Sequence, residues 1–262
     1  MKSNKTEEYK IDDIISNVLK VPGIKVDRAE FLKTTFVHED VDIKKIIEVG
    51  PVEANCSEKM LAEKAEQIIN ANTIETASIS FGLGIPGGLA MAATIPADLI
   101  QFYGKVLKMA QELIYLYGAK DLWNDGMFDN KKVRNQLIMY LGVMLGATGA
   151  TEAVRLFASH FVKKILEKST KESLKKKIFT TVAKKIGQAV GVKLVRETTT
   201  KGVFKILPVL GGVISGAMTC VSMKNMGKRL ADTLYKANFD YSKDDAMEDY
   251  KELGKVIESF TD

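Results

Sequence analysis

With 262 residues, 46% of them hydrophobic and 27% charged, the chain reads as a globular protein, long enough for one large domain or two small ones and too apolar for a disordered one. The net charge is +5 and the mean hydropathy is −0.03, high for so charged a chain, so apolar and charged residues are segregated along it. Two cysteines, Cys56 and Cys220, stand at no metal-ligand spacing and read as reduced thiols, and the start MKSNKTEEYK leads into an amphipathic stretch rather than a signal peptide.

In chain order, residues 7–20 read as an amphipathic helix closed near Pro22-Gly23. Asp27 caps a short helix over 28–34, and the connector 38–51 holds one apolar turn over 43–49. Ser57 caps a helix carrying Met60, Leu61, Ala65, Ile68 and Ile69. The stretch 73–118 then organises the molecule. It opens with 22 uncharged residues, 76–97, containing Gly82, Gly84, Gly87 and Gly88 with Pro86 and Pro96. A helix follows with a single polar line, Asp98, Gln101, Lys105, Lys108 and Glu112, and apolar or aromatic residues on every other face, so protein must surround it on nearly all sides. After the Asp-, Asn- and Gly-rich loop 119–130, helices are predicted over 131–150, 152–167, 171–195, 209–238 and 244–260, with a break at Thr198–Thr200. Only 190–206 offers a place for a hairpin. The fold class is therefore all-α: a multi-helix bundle.

Glycines four apart recur in it: Gly84 and Gly88, Gly142 and Gly146, Gly212 and Gly216, and the shorter Gly187 and Gly191. Such pairs lie on one helix face and let a second backbone come close, at about 1 kcal/mol per helix-interior glycine relative to alanine. They mark tightly packed core helices. Three uncharged runs, 76–97, 135–151 and 206–223, fall around the ~20 residues that span a bilayer. Prolines and polar residues inside two of them favour buried or conditionally inserted helices over constitutive spans.

Charge is concentrated. The segment 163–205 holds thirteen basic residues against Glu167, Glu172 and Glu197, a net of +10, which leaves −5 for the rest of the chain. Within it Leu174, Ile178, Val182, Ile186 and Ala189 form one apolar face flanked by Lys175, Lys176, Lys177, Lys184 and Lys185, with Lys163 and Lys164 upstream. A basic amphipathic helix of this kind suits an anionic membrane surface or a partner helix; the solvated face of a bundle helix is the plain alternative. Nucleic acid is disfavoured, because Phe179 is the sole interleaved aromatic and no reader motif is present.

No strong catalytic constellation stands out. His38 lies in an acidic surface stretch, and His160 follows Ser159 on a predicted helix. The run 82–88 matches a GxGxxG spacing but follows no strand and lacks the Lys-Ser/Thr of a phosphate loop. The acidic loop 121–130 departs from calcium-loop spacing, and helix capping by Asp129 or Asn130 explains it better. Neither a metal nor a cofactor is expected. Asp98 and Glu112 are the acids of interest: on so apolar a helix each must be paired or neutralised, most simply with Lys105 and Lys108.

The order of these features resembles the EcsC family of bacterial proteins. The likeness is carried by the helix before the Gly-rich run, Pro96-Ala97-Asp98, the stretch from Gln111-Glu112 to Tyr117-Gly118, the apolar helix at 137–150, Leu207-Pro208 through Gly211-Gly212, and Ala237–Phe239. It covers about 45–240. Gly212 stands where a small non-glycine residue is expected, and 163–205 is longer and richer in lysine than the family pattern. The resemblance implies a membrane-associated helical protein, named from an ABC-transporter operon, and supplies no reaction. The expected organisation is an N-terminal helical arm over 1–50, an EcsC-like helical domain over 51–240 with the lysine-rich 163–205 inside it, and a C-terminal amphipathic helix over 241–262.

The function expected is that of a cytoplasmic, non-catalytic protein held peripherally at the inner face of the membrane. It binds anionic lipid and can insert its Gly-rich helices, as a membrane-active effector would. A soluble scaffold or regulatory partner of a membrane transporter, with a membrane-protein or self-association partner, is the alternative. An enzyme built on Asp98 and Glu112 is the weaker one.

Overall fold

Nine α-helices and no strand make up the described residues of the computed structural model, which are 11–79, 97–123, 131–159, 183–184 and 216–258. The chain is an all-α multi-helix bundle. Three short helices come first, α1 (Ile11–Val18), α2 (Arg28–Phe36) and α3 (Ile43–Val49). The Asp27 cap read from sequence is in place, its carboxylate accepting from Glu30 N at 2.9 Å, and Asp42, not anticipated as a cap, does the same for Lys45 N at 3.1 Å. Each occupies one of the backbone donors that a helix start leaves open.

Two long helices follow. α4 (Glu58–Ile79) begins at its expected cap, Ser57, whose Oγ accepts from Met60 N at 3.2 Å. It runs further than the sequence suggested, into the first uncharged run. Thr73 and Thr76 stay helical by donating their hydroxyls to the carbonyls of Ile69 and Asn72, both at 2.7 Å. α5 (Ala97–Leu116) is the centre of the bundle and packs on α1, α2, α4, α6 and α8. Tyr103, Val106, Leu107, Met109, Ala110 and Leu113 on it are fully buried, as a helix with one polar line requires.

α6 (Lys131–Met144) and α7 (Ala150–Ala158) replace the single helix predicted over 131–150. The break is a glycine-terminated helix end. Gly146 has φ +65, its N–H bonds to Val143 O at 3.0 Å, and Ala147 N bonds to Gly142 O at 2.7 Å. Gly146 is exposed and faces the Arg229 guanidinium, so it is a terminator and not a helix-packing position. The second uncharged run is thereby split between two helices. α7 closes at Ser159, short of the predicted 152–167 helix, whose remainder lies outside the described residues along with His160.

α8 (Gly216–Phe239) packs along α4 and also meets α5, α6 and α7. Its closest approach is at Gly227, where a Cβ would stand 2.8 Å from Ile69 Cγ1 and 3.0 Å from Met109 Sδ. α9 (Lys243–Glu258) opens with a capping box in which Ser242 and Asp245 exchange hydrogen bonds, and it leans on α7. Asp249, buried on α9, takes a bidentate pair from Arg155 of α7 at 2.8 and 2.5 Å and a third bond from the Tyr241 hydroxyl at 2.7 Å. Both cysteines are free thiols. Among the described residues no helix is long and apolar enough to cross a membrane.

Candidate functional site

The polar line of α5 and the far half of α4 form the one charged seam inside the bundle that the sequence singled out. Lys105, Lys108 and Glu112 sit on one stripe of α5 at steps of three and four, and α4 answers with Asn72 and Glu75. Glu75 receives both ammonium groups, Lys105 in a short hydrogen bond and Lys108 at 3.3 Å. Lys108 also lies 3.9 Å from Glu112 Oε1, and Asn72 Nδ2 donates to Glu112 Oε2 at 2.5 Å while sharing its other proton with Ile68 O at 3.0 Å. Two cations thus meet two anions, and the seam is neutral.

The two carboxylates differ in kind. Burial, with 13% of its side chain exposed, pushes Glu112 above the usual carboxylate range, and this outweighs the downward pull of the Asn72 hydrogen bond and of Lys108. Burial also pushes on Glu75, but the hydrogen bond and charge of Lys105 and the charge of Lys108 win there, and Glu75 is held below its ordinary value. Asn72 Oδ1 is buried with no partner among the described residues. Glu112 is therefore the one position on this seam ready to hold a proton, yet no histidine or thiol accompanies it. Among the described residues no three His, Cys, Asp or Glu side chains gather as a metal site.

The predicted carboxylate pair does not come together. Asp98 is on the first turn of α5, fourteen residues before Glu112, which puts their backbones about 21 Å apart along one helix axis. Carboxylates that share a substrate work within roughly 10 Å of each other. Their backbones are therefore well separated along α5.

Of the other predicted positions, Gly142 is buried within α6 and Gly216 opens α8, while Gly84, Gly88 and Gly212 lie outside the described residues. Lys184 is exposed, and Ala183 beside it is fully buried in the core. Lys163, Lys164, Lys175, Lys176, Lys177 and Lys185 lie outside the described residues, as do Asp129 and Asn130 of the loop.

Four polar residues make contacts that were not anticipated. Asn72 and Glu75 continue the α4 line that begins Leu61, Ala65, Ile68; an apolar face that turns polar without losing its period was the available signal. Gln111 is fully buried and ties α5 to the first helices: its Nε2 donates to Ile24 O at 2.9 Å and to Leu107 O at 3.0 Å, and its Oε1 accepts from Val26 N at 3.1 Å and Trp123 Nε1 at 3.0 Å. Arg28 fastens the same corner by donating to Ala119 O and Ile47 O. Among the described residues, close approach over a glycine also occurs at positions not singled out from the sequence. Gly104 sits under Ile24, Gly227 under Ile69, and Gly50 meets Gly118 backbone to backbone, where a Cβ on Gly50 would stand 2.9 Å from Gly118 Cα.

What the geometry defines is an all-α bundle braced by a neutral charged seam. Set against family models, curated proteins and solved structures, the chain finds no match.

Proposed function

We propose that this chain is a non-catalytic, membrane-associated helical protein that docks on anionic membrane surface through its lysine-rich stretch 163–205. The observation that carries the reading is the concentration of thirteen basic residues and three acidic ones in that stretch, against a net −5 elsewhere. Each lysine held near anionic lipid contributes about 1 kcal/mol, so even half of them acting together would dominate the partition between water and membrane. The exposed Lys184 next to buried Ala183 supports an arrangement with the apolar side toward the bundle and the ammonium groups outward. The likeness of 45–240 to the EcsC family points the same way. If helices insert after docking, the uncharged runs 76–97 and 206–223 are the candidates, since the run 135–151 is divided between α6 and α7.

Co-sedimentation with vesicles tests the reading. Binding to vesicles containing phosphatidylglycerol, with at least ten-fold less to phosphatidylcholine alone, is expected. Equal and negligible binding to both would overturn it.

A further inference from the structure

Beside the close contact at Gly227, α4 and α8 part and leave a groove of about 330 Å³, the size of a small-molecule site. Its floor is made of small side chains, Ala62 and Ala65 from α4 and Ala231 from α8, and this is why the space exists. Its walls carry chemistry. Lys224 and Lys228 stand one turn apart on α8, and Asp232 follows one turn further on the same face. Glu66 faces them from α4, so the groove is charge-balanced, and none of these four side chains forms an ion pair or hydrogen bond with a described residue.

A second observation is independent of the charges. Tyr117, just past the end of α5, is 5% exposed and lines the groove, and its hydroxyl makes no hydrogen bond to any described residue. Burial above all, with Asp232 and Tyr235 nearby, pushes this phenol above its ordinary range, so it stays a protonated donor. The ring is buried while the hydroxyl is not shut off from solvent, so it stands open to an acceptor in the groove. Tyr235 completes the far wall, its own hydroxyl fixed by donation to Glu58 Oε2 at 2.7 Å and its ring packed at a tilt against Phe239.

We infer that this groove binds a small zwitterion of the alkylammonium phosphate class, with the phosphate between Lys224, Lys228 and the Tyr117 hydroxyl and the ammonium against Asp232 and the rings of Tyr117 and Tyr235. Two ammonium groups and a phenol offer three donors to a phosphate's oxygens. A carboxylate one turn away beside two aromatic rings suits a cationic head, and a quaternary one best. Both signs of charge line the groove, and neither is paired with a described residue. The same chemistry occurs free in solution and as a lipid headgroup. The site is on the described bundle and does not rest on the lysine-rich stretch, so it stands or falls apart from the vesicle test above.

The experiment is titration calorimetry on the full chain with phosphocholine, and with inorganic phosphate and choline as half-ligands. Phosphocholine is expected to bind at least ten-fold more tightly than either half. The double variant Lys224→Ala/Lys228→Ala and the single variant Tyr117→Phe, with melting temperatures near that of the parent, should each weaken it, the double by ten-fold or more. Asp232→Asn should remove the preference for phosphocholine over phosphate. A short-chain phosphatidylcholine below its micelle concentration separates the sources: equal affinity assigns the free compound, ten-fold tighter binding the headgroup. No binding of phosphocholine or the short-chain lipid, binding no tighter than inorganic phosphate, or binding untouched by the double lysine variant would overturn the inference.

Discussion

Two pairs of lysines flank α4 and have opposite fates. Lys105 and Lys108 on α5 reach Glu75 and Glu112 and are spent inside the bundle. Lys224 and Lys228 on α8 stand beside Glu66 and Asp232 without engaging either. Residue type and spacing are nearly the same in both. What differs is whether the facing helix supplies a carboxylate at the right depth, and that depends on which turn of α4 each pair meets. A lysine that is paired and half-buried braces structure, whereas one that meets no partner among the described residues above a groove is placed for a ligand.

Breaking a paired charge should therefore cost stability in proportion to its burial. The extreme case is Asp249, whose bidentate bond to Arg155 is the deepest ion pair among the described residues. Asp249→Ala strands Arg155 and should cost about 3–5 kcal/mol in urea unfolding, with α9 becoming the first site of limited proteolysis. Glu75→Ala leaves Lys105 and Lys108 without their shared acceptor at a part-exposed site, and a loss of about 1–2 kcal/mol is expected from the same measurement.

Glu112 sharpens the contrast through pH. Its carboxyl is raised in the folded protein by burial, so the folded state holds its proton to higher pH than the unfolded chain does. Its contribution to stability is then largest at or below the ordinary carboxylate value of 4.5 and is lost as pH rises through the folded value. Glu112→Gln keeps the Asn72 hydrogen bond and removes the titration. Melting temperature measured from pH 4 to 8 should fall less steeply on the alkaline side in the variant, and an unchanged slope would place the effect elsewhere. The unpaired lysines set the lower bound: Lys224→Ala/Lys228→Ala should change stability by no more than about 0.5 kcal/mol while weakening phosphocholine binding.

Much of this architecture was legible beforehand because it is written locally. The caps at Asp27 and Ser57 and the single polar line of α5 depend on neighbours three or four residues away. The misreadings arose where distant contacts decide. Spacing alone placed Gly146 in a packing pair, but the residue takes a left-handed conformation and ends α6. Among the described residues, side chains seat tightly over Gly104 and Gly227, which have no glycine four residues away and owe their role to Ile24 and Ile69 across the interface. Glu112 was readable as a buried acid needing a partner; that Asn72 donates to it while Glu75 takes Lys105 and Lys108 depends on the register of α4 against α5, which no single helix encodes.

The lysine-rich stretch is where the functional account is most exposed to refutation. Vesicle flotation of the parent and of Lys175→Glu/Lys176→Glu/Lys177→Glu, on phosphatidylglycerol-containing membranes at low and high salt, addresses it directly. The account predicts that the parent floats at low salt, that salt weakens this docking by screening, and that charge reversal abolishes it. Flotation of the reversed variant equal to that of the parent at low salt would contradict it.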